Sequence, residues 1–240
     1  VKLANLIITV TKAVACGNRI QSVFEIKSSM EEGSRRYSAS SEDGYSVEFK
    51  NVNLCYNEGA DRSLTGIDFS VRKGETVGII GGTGSGKTTL LNVLSGIFDS
   101  THIKVGENGS IFIAKELCED MTYLFYPDFL VKGTVKENVL CGRNIPEGNY
   151  RLMEKILELP DAEKEVVLRP ENLSLGEKQK IYLSRILIEN KRCILLDEPG
   201  SNLDEKTEES LIQYLGQIKN NSLIIVISHN SKYDKIADKI

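Results

Sequence analysis

The sequence has few histidines, few cysteines and no long apolar run. Its two histidines nearly exclude a histidine-rich metal site. Its five cysteines are scattered, odd in number and never spaced as C-x-x-C, which argues against a disulfide framework or a zinc site. They indicate free thiols in a reducing compartment. No stretch approaches the roughly 18 consecutive apolar residues of a membrane-spanning helix, so nothing in the sequence is expected to span a membrane.

The charges of the sequence are nearly balanced. The 30 lysines and arginines face 34 aspartates and glutamates, which gives a formal net charge of −4. Because nonspecific nucleic-acid binding needs a surplus of cations to displace counterions, this balance argues against a nucleic-acid partner. A chain of 240 residues with 40% hydrophobic content can form a genuine core in one or two domains. It begins at Val1, without Met, and stops at Ile240, so we expect an excised piece with a truncated C-terminus.

Changes in composition divide the sequence into three segments. Residues 1–29 place apolar residues three and four apart, which predicts an amphipathic helix. Residues 30–44 are rich in Ser, Glu, Arg and Gly and predict a flexible linker, because they carry too little apolar surface to order themselves. Residues 45–240 have the pattern of a folded domain.

The folded domain alternates strands with helices. Apolar alternation predicts two short strand pieces, around Val47–Phe49 and Val52–Leu54. Continuous apolar runs predict three buried strands separated by helices, at residues 76–80, 193–196 and 223–227. Strands of this kind form a parallel sheet covered on both faces, so the sequence predicts an α/β fold.

A glycine-rich segment follows the first buried strand and fits the pattern G-x-x-x-x-G-K-[ST] in full. Its glycines let backbone N–H groups converge on phosphate oxygens, and the following helix adds the partial positive charge of its N-terminus. Lys87 supplies a mobile positive charge for the β- and γ-phosphates, and Thr88 offers a hydroxyl group to Mg²⁺. The predicted phosphate-binding residues are Gly81, Gly82, Thr83, Gly84, Ser85, Gly86, Lys87, Thr88 and Thr89.

Two carboxylates follow another buried strand, in the segment Leu195–Pro199. Because the carboxyl ends of parallel strands lie at one edge of a sheet, we expect them beside the phosphate loop. Asp197 is the expected Mg²⁺ partner, and Glu198 is placed to polarise an attacking water molecule. Together the two motifs predict an NTPase that binds a nucleotide with Mg²⁺.

The segment Asn172–Lys180 has the sequence NLSLGEKQK and resembles the LSGGQ signature of the ATP-binding-cassette (ABC) family. Ser174, followed three residues later by Glu177, is also a capping box, which predicts the start of a helix. The resemblance implies that Ser174 and Gly176 contact the γ-phosphate of ATP held by a second cassette. Two nucleotide-binding domains, in a homodimer or a heterodimer, would then sandwich two ATP molecules head to tail.

Further segments resemble ABC motifs in the order in which the family carries them. Tyr56 resembles the aromatic residue that stacks on adenine, Ser201–Asp204 resembles the D-loop, and His229 resembles the switch histidine. The resemblance covers roughly residues 45–240. It implies a P-loop NTPase fold, an ABC-type ATPase core with an antiparallel β subdomain and a helical subdomain at about 127–190. It also implies ATP and Mg²⁺ as ligands and catalytic roles for Glu198 and His229.

Two segments resemble the exporters of this family. Lys132–Val139 resembles their GTxxEN element, and Ala13–Ile26 resembles the cytoplasmic end of their last transmembrane helix. The resemblance implies that residues 1–29 are this end of a transmembrane domain in the same full-length chain. It also implies a location at the cytoplasmic face of the cell membrane, where ATP hydrolysis powers transport.

The sequence departs from the exporter pattern at two motifs. Tyr126 occupies the position of the Q-loop glutamine, and no glutamine occurs between Gln21 and Gln179. Tyrosine lacks the amide oxygen that would coordinate the ion, so we expect hydrolysis that persists but is slower or differently coupled. In the signature, Leu175 replaces the first glycine and Glu177 replaces the glutamine. The Glu177 carboxylate would repel a triphosphate unless it folds back onto the helix start.

Three functions stay open from the sequence. The first is the ATPase motor of an exporter, which the intact Glu198 and His229 favour. The second is a degenerate, weakly hydrolysing nucleotide switch in a heterodimeric transporter, which Tyr126 favours. The third is a soluble ABC ATPase acting on DNA or ribosomes, against which the negative net charge and the exporter-like first helix argue.

Overall fold

The structure is a computed structural model that describes residues 2–25, 46–54, 64–96, 103–124, 129–169, 171–229 and 231–240. The chain forms two compact units, Val1–Arg35 and Arg36–Ile240. In the first unit the predicted helix is present as α1 (Lys2–Phe24). None of the described helices is long and apolar enough to cross a membrane. The predicted linker at residues 30–44 lies outside the described residues.

The second unit has a mixed α/β fold. Its strands are β1 (Val47–Leu54), β2 (Leu64–Val71), β3 (Thr76–Ile80), β4 (Ile103–Ile113), β5 (Met121–Tyr123), β6 (Gly133–Thr134), β7 (Glu165–Val166), β8 (Cys193–Asp197) and β9 (Leu223–Ser228). Its helices are α2 (Lys87–Leu94), α3 (Lys115–Glu119), α4 (Val135–Leu140), α5 (Glu147–Leu157), α6 (Leu175–Leu187) and α7 (Glu205–Ile218). A 3₁₀ helix (Ser231–Lys235) follows β9.

One sheet is antiparallel and has the strand order β2-β1-β4. The prediction of two strand pieces was wrong, because residues 47–54 form one continuous strand. Between Phe49 and Val52 its register against β2 shifts, and Asn51 there has a φ of 49°. This bulge exposes Lys50 and Asn51, which interrupts the apolar alternation without ending the strand.

The second sheet is parallel and has the strand order β3-β9-β8-β5, which confirms the predicted parallel sheet. Every residue of β9 is buried, and so are the first four residues of β8. Alternate residues of these strands pack into two cores, one shared with α6 and α7 and one shared with α2 and the antiparallel sheet. Burial on both faces explains why the strands are apolar at every position.

The helices α4, α5 and α6 form a helical part together with the antiparallel pair of short strands β6 and β7. Both α4 and α6 begin with a capping box, at Thr134 and Ser174 respectively. Apolar residues of α5 and α6 pack in its core, among them Met153, Leu157 and Leu187. These elements occupy residues 133–187, inside the interval for which the sequence predicts a helical subdomain.

Candidate nucleotide-binding site

The glycine-rich loop joins β3 to α2 at the carboxyl edge of the parallel sheet. Gly84 and Gly86 have φ angles of 82° and 90°, in the left-handed region that favours glycine. Gly86 is also the N-cap residue of α2, and it has no side chain to accept from the first N–H groups of the helix. These N–H groups can therefore bind a phosphate at the positive end of the helix dipole.

Lys87 and Thr88 begin α2 and bring the loop together with the end of β8. Lys87 Nζ donates to the carbonyl oxygens of Gly81 and Gly82 at 2.8 and 2.9 Å, so its ammonium group lies over the loop. Thr88 Oγ1 donates to Asp197 Oδ2 at 2.6 Å, across 109 residues of sequence. A hydroxyl and a carboxylate oxygen are the ligand types that Mg²⁺ prefers, so this pair fits the predicted magnesium site.

Glu198 and His229 meet at the ends of neighbouring strands. Glu198 N donates to the carbonyl oxygen of Ile227 at 3.0 Å, which fixes the end of β8 beside the end of β9. Glu198 then adopts a φ of 48°, an uncommon conformation for a residue other than glycine and one that is concentrated at functional sites. Its buried Oε1 lies 3.1 Å from His229 Nε2. The structure therefore brings the two predicted catalytic side chains into contact.

One cavity of about 990 Å³ joins these features. Its volume is at the upper end of the range of small-molecule sites. The residues that line it are Thr83, Gly84, Ser85, Gly86, Lys87, Thr88, Thr89, Leu124, Gln179, Asp197, Glu198, Ser201, Asn202 and His229. Most of the predicted phosphate-binding residues and all of the predicted metal and catalytic residues thus face one space.

The cavity also contains a residue that the sequence analysis missed. Gln179 on α6 is 3% exposed, and its Nε2 donates to the carbonyl oxygen of Pro199 at 3.2 Å. This bond ties α6, which begins within the signature segment, to the turn after Glu198. The available signal was a polar residue placed three and four positions before the buried Tyr182 and Leu183, on the apolar face of the helix.

Ser174 and Gly176 lie at the start of α6 and do not line this cavity. Ser174 and Glu177 form the predicted capping box: Ser174 N donates to Glu177 Oε2 at 2.8 Å, and Glu177 N donates to Ser174 Oγ at 3.2 Å. Lys164 Nζ donates to the other carboxylate oxygen of Glu177 at 2.7 Å. Chiefly through this bond, the pKa of Glu177 is held below its usual value. Glu177 thus folds back onto the helix start, as expected, and Lys164 neutralises its negative charge.

Two predicted positions, Tyr56 and Tyr126, lie outside the described residues. The structure therefore places neither the aromatic residue expected to stack on adenine nor the tyrosine at the Q-loop position.

Comparison with known proteins decides the family. The sequence model of the family described as ABC transporter matches residues 64–201, which is more than half of the chain. The chain belongs to the ABC transporter family. The match includes the phosphate loop, the signature segment and Asp197. ABC ATPase domains bind ATP, in general together with Mg²⁺.

Relatives within the ABC transporters are longer than this chain. A "probable ABC transporter ATP-binding/permease protein" of Haemophilus influenzae is 30% identical over 252 residues, covering 100% of the chain and 45% of the relative. An uncharacterized ABC transporter ATP-binding protein of Bacillus subtilis is 33% identical, covering 96% of the chain and 42% of the relative. The chain thus spans less than half the length of these relatives.

The ABC transporter fold is confirmed by a solved structure. A bacterial Atm1-family ABC exporter with ATP bound matches with a TM-score of 0.76 and 22% identity, covering 96% of this chain and 42% of that one. The predicted P-loop NTPase fold of the ABC type, with its parallel and antiparallel sheets, is therefore correct.

Proposed function

We propose that this ABC transporter domain binds and hydrolyses ATP to power export across a membrane. The observation that carries the proposal is the convergence of Thr88, Asp197, Glu198 and His229 at one edge of the parallel sheet. In this proposal residues 1–29 are the cytoplasmic end of a last transmembrane helix, residues 30–44 are a linker and residues 45–240 are the nucleotide-binding domain. The exporter-like segments Ala13–Ile26 and Lys132–Val139 support the assignment.

The phosphate chain of ATP would be held by the loop and the start of α2. Backbone N–H groups at the N-terminus of α2 and the Lys87 ammonium group would balance the negative charge of the phosphates. Thr88 and Asp197 would hold Mg²⁺, which neutralises developing charge on the transferred phosphoryl group when bound. The contact between Thr88 and Asp197 positions both oxygen atoms before the ion arrives.

Glu198 and His229 would together position the attacking water molecule. Glu198 would accept a hydrogen bond from the water and orient it towards the γ-phosphate, and His229 would hold the carboxylate from the other side. The φ of 48° directs the Glu198 side chain out of β8 towards the space beside the phosphate loop. The position of these groups after two adjacent buried strands limits their movement.

A second nucleotide-binding domain would complete the site. Ser174 and Gly176 begin α6 away from the cavity beside their own phosphate loop, which suits contact with ATP held by a partner. The N-terminus of α6 would contribute a partial positive charge to the γ-phosphate. Tyr56 would stack on the adenine ring. The ATP sandwich would form at the cytoplasmic face of the cell membrane.

The sequence also favours a second candidate function, because Tyr126 stands at the Q-loop position. A tyrosine hydroxyl can act on the ion only through a water molecule. In this case the domain would be a weakly hydrolysing switch, paired with a more active domain in a heterodimer.

Steady-state phosphate release by the full-length protein distinguishes these functions. The motor predicts turnover that falls by about 100-fold or more in Glu198→Gln, while ATP binding persists. A rate near zero in both proteins would reject the motor and leave the switch. Tyr126→Gln should raise the turnover if the tyrosine slows hydrolysis, and an unchanged rate would remove that idea.

A further inference from the structure

A second group of polar residues lies behind the contact between Glu198 and His229. Glu208 on α7 is only 4% exposed, and its Oε2 accepts from Lys232 Nζ at 2.7 Å. Tyr233, the next residue of the 3₁₀ helix, is 3% exposed. Burial raises the pKa of the Tyr233 hydroxyl well above its usual value, so this group keeps its proton. Burying a carboxylate costs free energy unless the carboxylate is paired, so the burial of Glu208 beside Lys232 needs a structural or functional explanation.

This group touches the turn that follows Glu198. A methyl group on Gly200 would lie 2.2 Å from Glu208 Oε1 and 3.0 Å from Tyr233 Oη. The carboxylate and the phenol therefore fill the space that a side chain at Gly200 would need.

Lys232 and Tyr233 lie in the 3₁₀ helix that follows His229 along the chain. They follow His229 by three and four residues, and Tyr233 packs in the core that contains the buried face of α7. The side chains of His229 and Glu198 are 54% and 29% exposed, whereas that of Glu208 is 6% exposed. Water therefore competes less for the bond between Glu208 and Lys232 than for the contact between His229 and Glu198.

We propose that Glu208 is a positioning residue, which acts through Lys232 and Tyr233 to hold the segment after His229 against the turn after Glu198. It thereby keeps His229 Nε2 in contact with Glu198 Oε1. The inference rests on the proposed ATPase function. It assigns to Glu208 no contact with the nucleotide.

The chain offers a matched control for this role. Glu209, the next residue of α7, pairs with Lys235 of the same 3₁₀ helix at 3.4 Å. This pair joins the same two elements, but its side chains are 45% and 62% exposed. An exposed pair of this kind holds its elements together only weakly.

The test compares Glu208→Ala and Lys232→Met with Glu209→Ala and Lys235→Met in the full-length protein. The first two variants should lower kcat for ATP hydrolysis by about tenfold or more while KM for ATP changes by less than about twofold. The two control variants should keep the activity of the unchanged protein. Glu208→Gln should recover most of the lost kcat, because its amide oxygen can still accept from Lys232.

A second measurement needs no nucleotide. The 240 residues contain only His102 and His229, so peptide mass spectrometry can follow their modification by diethyl pyrocarbonate separately. Release of His229 from Glu198 should speed its modification in Glu208→Ala but not in Glu209→Ala, with His102 as the internal reference.

Equal kcat values in the Glu208 and Glu209 variants, with equal modification of His229, would overturn the inference. Parallel loss of kcat and nucleotide affinity in Lys232→Met would also overturn it, because a positioning role predicts a loss in kcat alone. If Glu208→Ala fails to fold, Lys232→Met carries the test, since the Lys232 side chain is 38% exposed. Absent turnover in the unchanged protein would reject the proposed function instead, while the histidine modification would still test the positioning.

Discussion

The phosphate loop (Gly81–Thr88) and the signature segment (Asn172–Lys180) both begin a helix, but different interactions hold them in place. The phosphate loop depends on the sheet, because its Thr88 reaches Asp197 across 109 residues of sequence. The signature segment depends on neighbours in sequence, because Ser174, Glu177 and Lys164 lie within 13 residues of one another. The phosphate loop is thus held by tertiary contacts, and the signature segment is held by local contacts.

The two segments also balance charge differently. In the phosphate loop, the lysine bonds to backbone carbonyl oxygens, and the carboxylate of Asp197 accepts from the hydroxyl of Thr88. The signature segment contains a carboxylate of its own, Glu177, and engages both of its oxygen atoms with Ser174 N and Lys164 Nζ. A helix N-terminus that neutralises its own acid in this way retains its partial positive charge. The departure from the LSGGQ pattern is thus compensated by a residue outside the motif.

The largest effect is expected from breaking the tertiary geometry. Asp197→Ala removes the partner of Thr88, so Mg²⁺-dependent ATP turnover should fall by about 100-fold. The measurement is phosphate release as a function of Mg²⁺ concentration. Asp120→Ala is the control, because Asp120 lies at the opposite edge of the same sheet and bonds to Arg192 N. Similar losses in both variants would mean that Asp197 supports the sheet and not the site.

A smaller effect is expected from exposing the charge of Glu177. Lys164→Met should raise KM for ATP by about threefold, because the carboxylate then repels the phosphate at the partner's site. Adding Glu177→Gln to this variant should restore KM, since the uncompensated charge is gone. Lys136→Met, which removes the exposed pair with Glu147 in the same helical part, is the control. A double variant as impaired as Lys164→Met would contradict the electrostatic explanation.

A still smaller effect separates capping from phosphate binding. Ser174→Ala and Thr134→Ala each remove one capping box and should each lower the free energy of unfolding by about 1 kcal/mol. Only Ser174→Ala should also raise KM for ATP, because α4 does not contribute to the proposed site. Urea denaturation and phosphate release measure the two quantities. Equal KM values in the two variants would argue against a phosphate contact by Ser174.

The sequence predicted the features that depend on a pattern. The glycine-rich loop, the acidic end of β8 and the capping box of α6 are each encoded by consecutive residues. Glu198 was expected beside the phosphate loop because the ends of parallel strands share an edge. His229 was identified only by its resemblance to the switch histidine, and its contact with Glu198 was not predicted. The resemblance to the ABC family then identified further motifs, because they follow one another in the order that the family carries them.

The remaining features depend on distance in the folded chain. The apolar faces of α6 and α7 mark Gln179 and Glu208 as polar residues at buried positions, but they do not reveal the partners bound there, the carbonyl oxygen of Pro199 and Lys232. The bulge at Asn51 interrupted an alternating pattern and therefore resembled a gap between two strands. In each case the decisive contact is made by an element far away in sequence.

The smallest effect concerns acid stability and distinguishes the two capping boxes. The pKa of Glu177 is lower in the folded chain, mainly through its bond from Lys164, so its charge stabilises the fold above the unfolded pKa. This stabilisation is lost as the pH falls through the folded pKa. Glu177→Gln should therefore lower the free energy of unfolding at neutral pH by less than about 1 kcal/mol. It should also flatten the pH dependence of unfolding below about pH 4.5.

Glu137→Gln provides the comparison, because Glu137 holds the same position in the capping box of α4. Urea denaturation of both variants, from neutral pH down to about pH 3, separates the contribution of the cap from that of the lysine pair. The difference between the two pH profiles should disappear when Lys164 is also replaced by Met, since the remaining interactions of the two glutamates are then alike. A difference that persists without Lys164 would mean that the ion pair does not set the acid sensitivity of the signature segment.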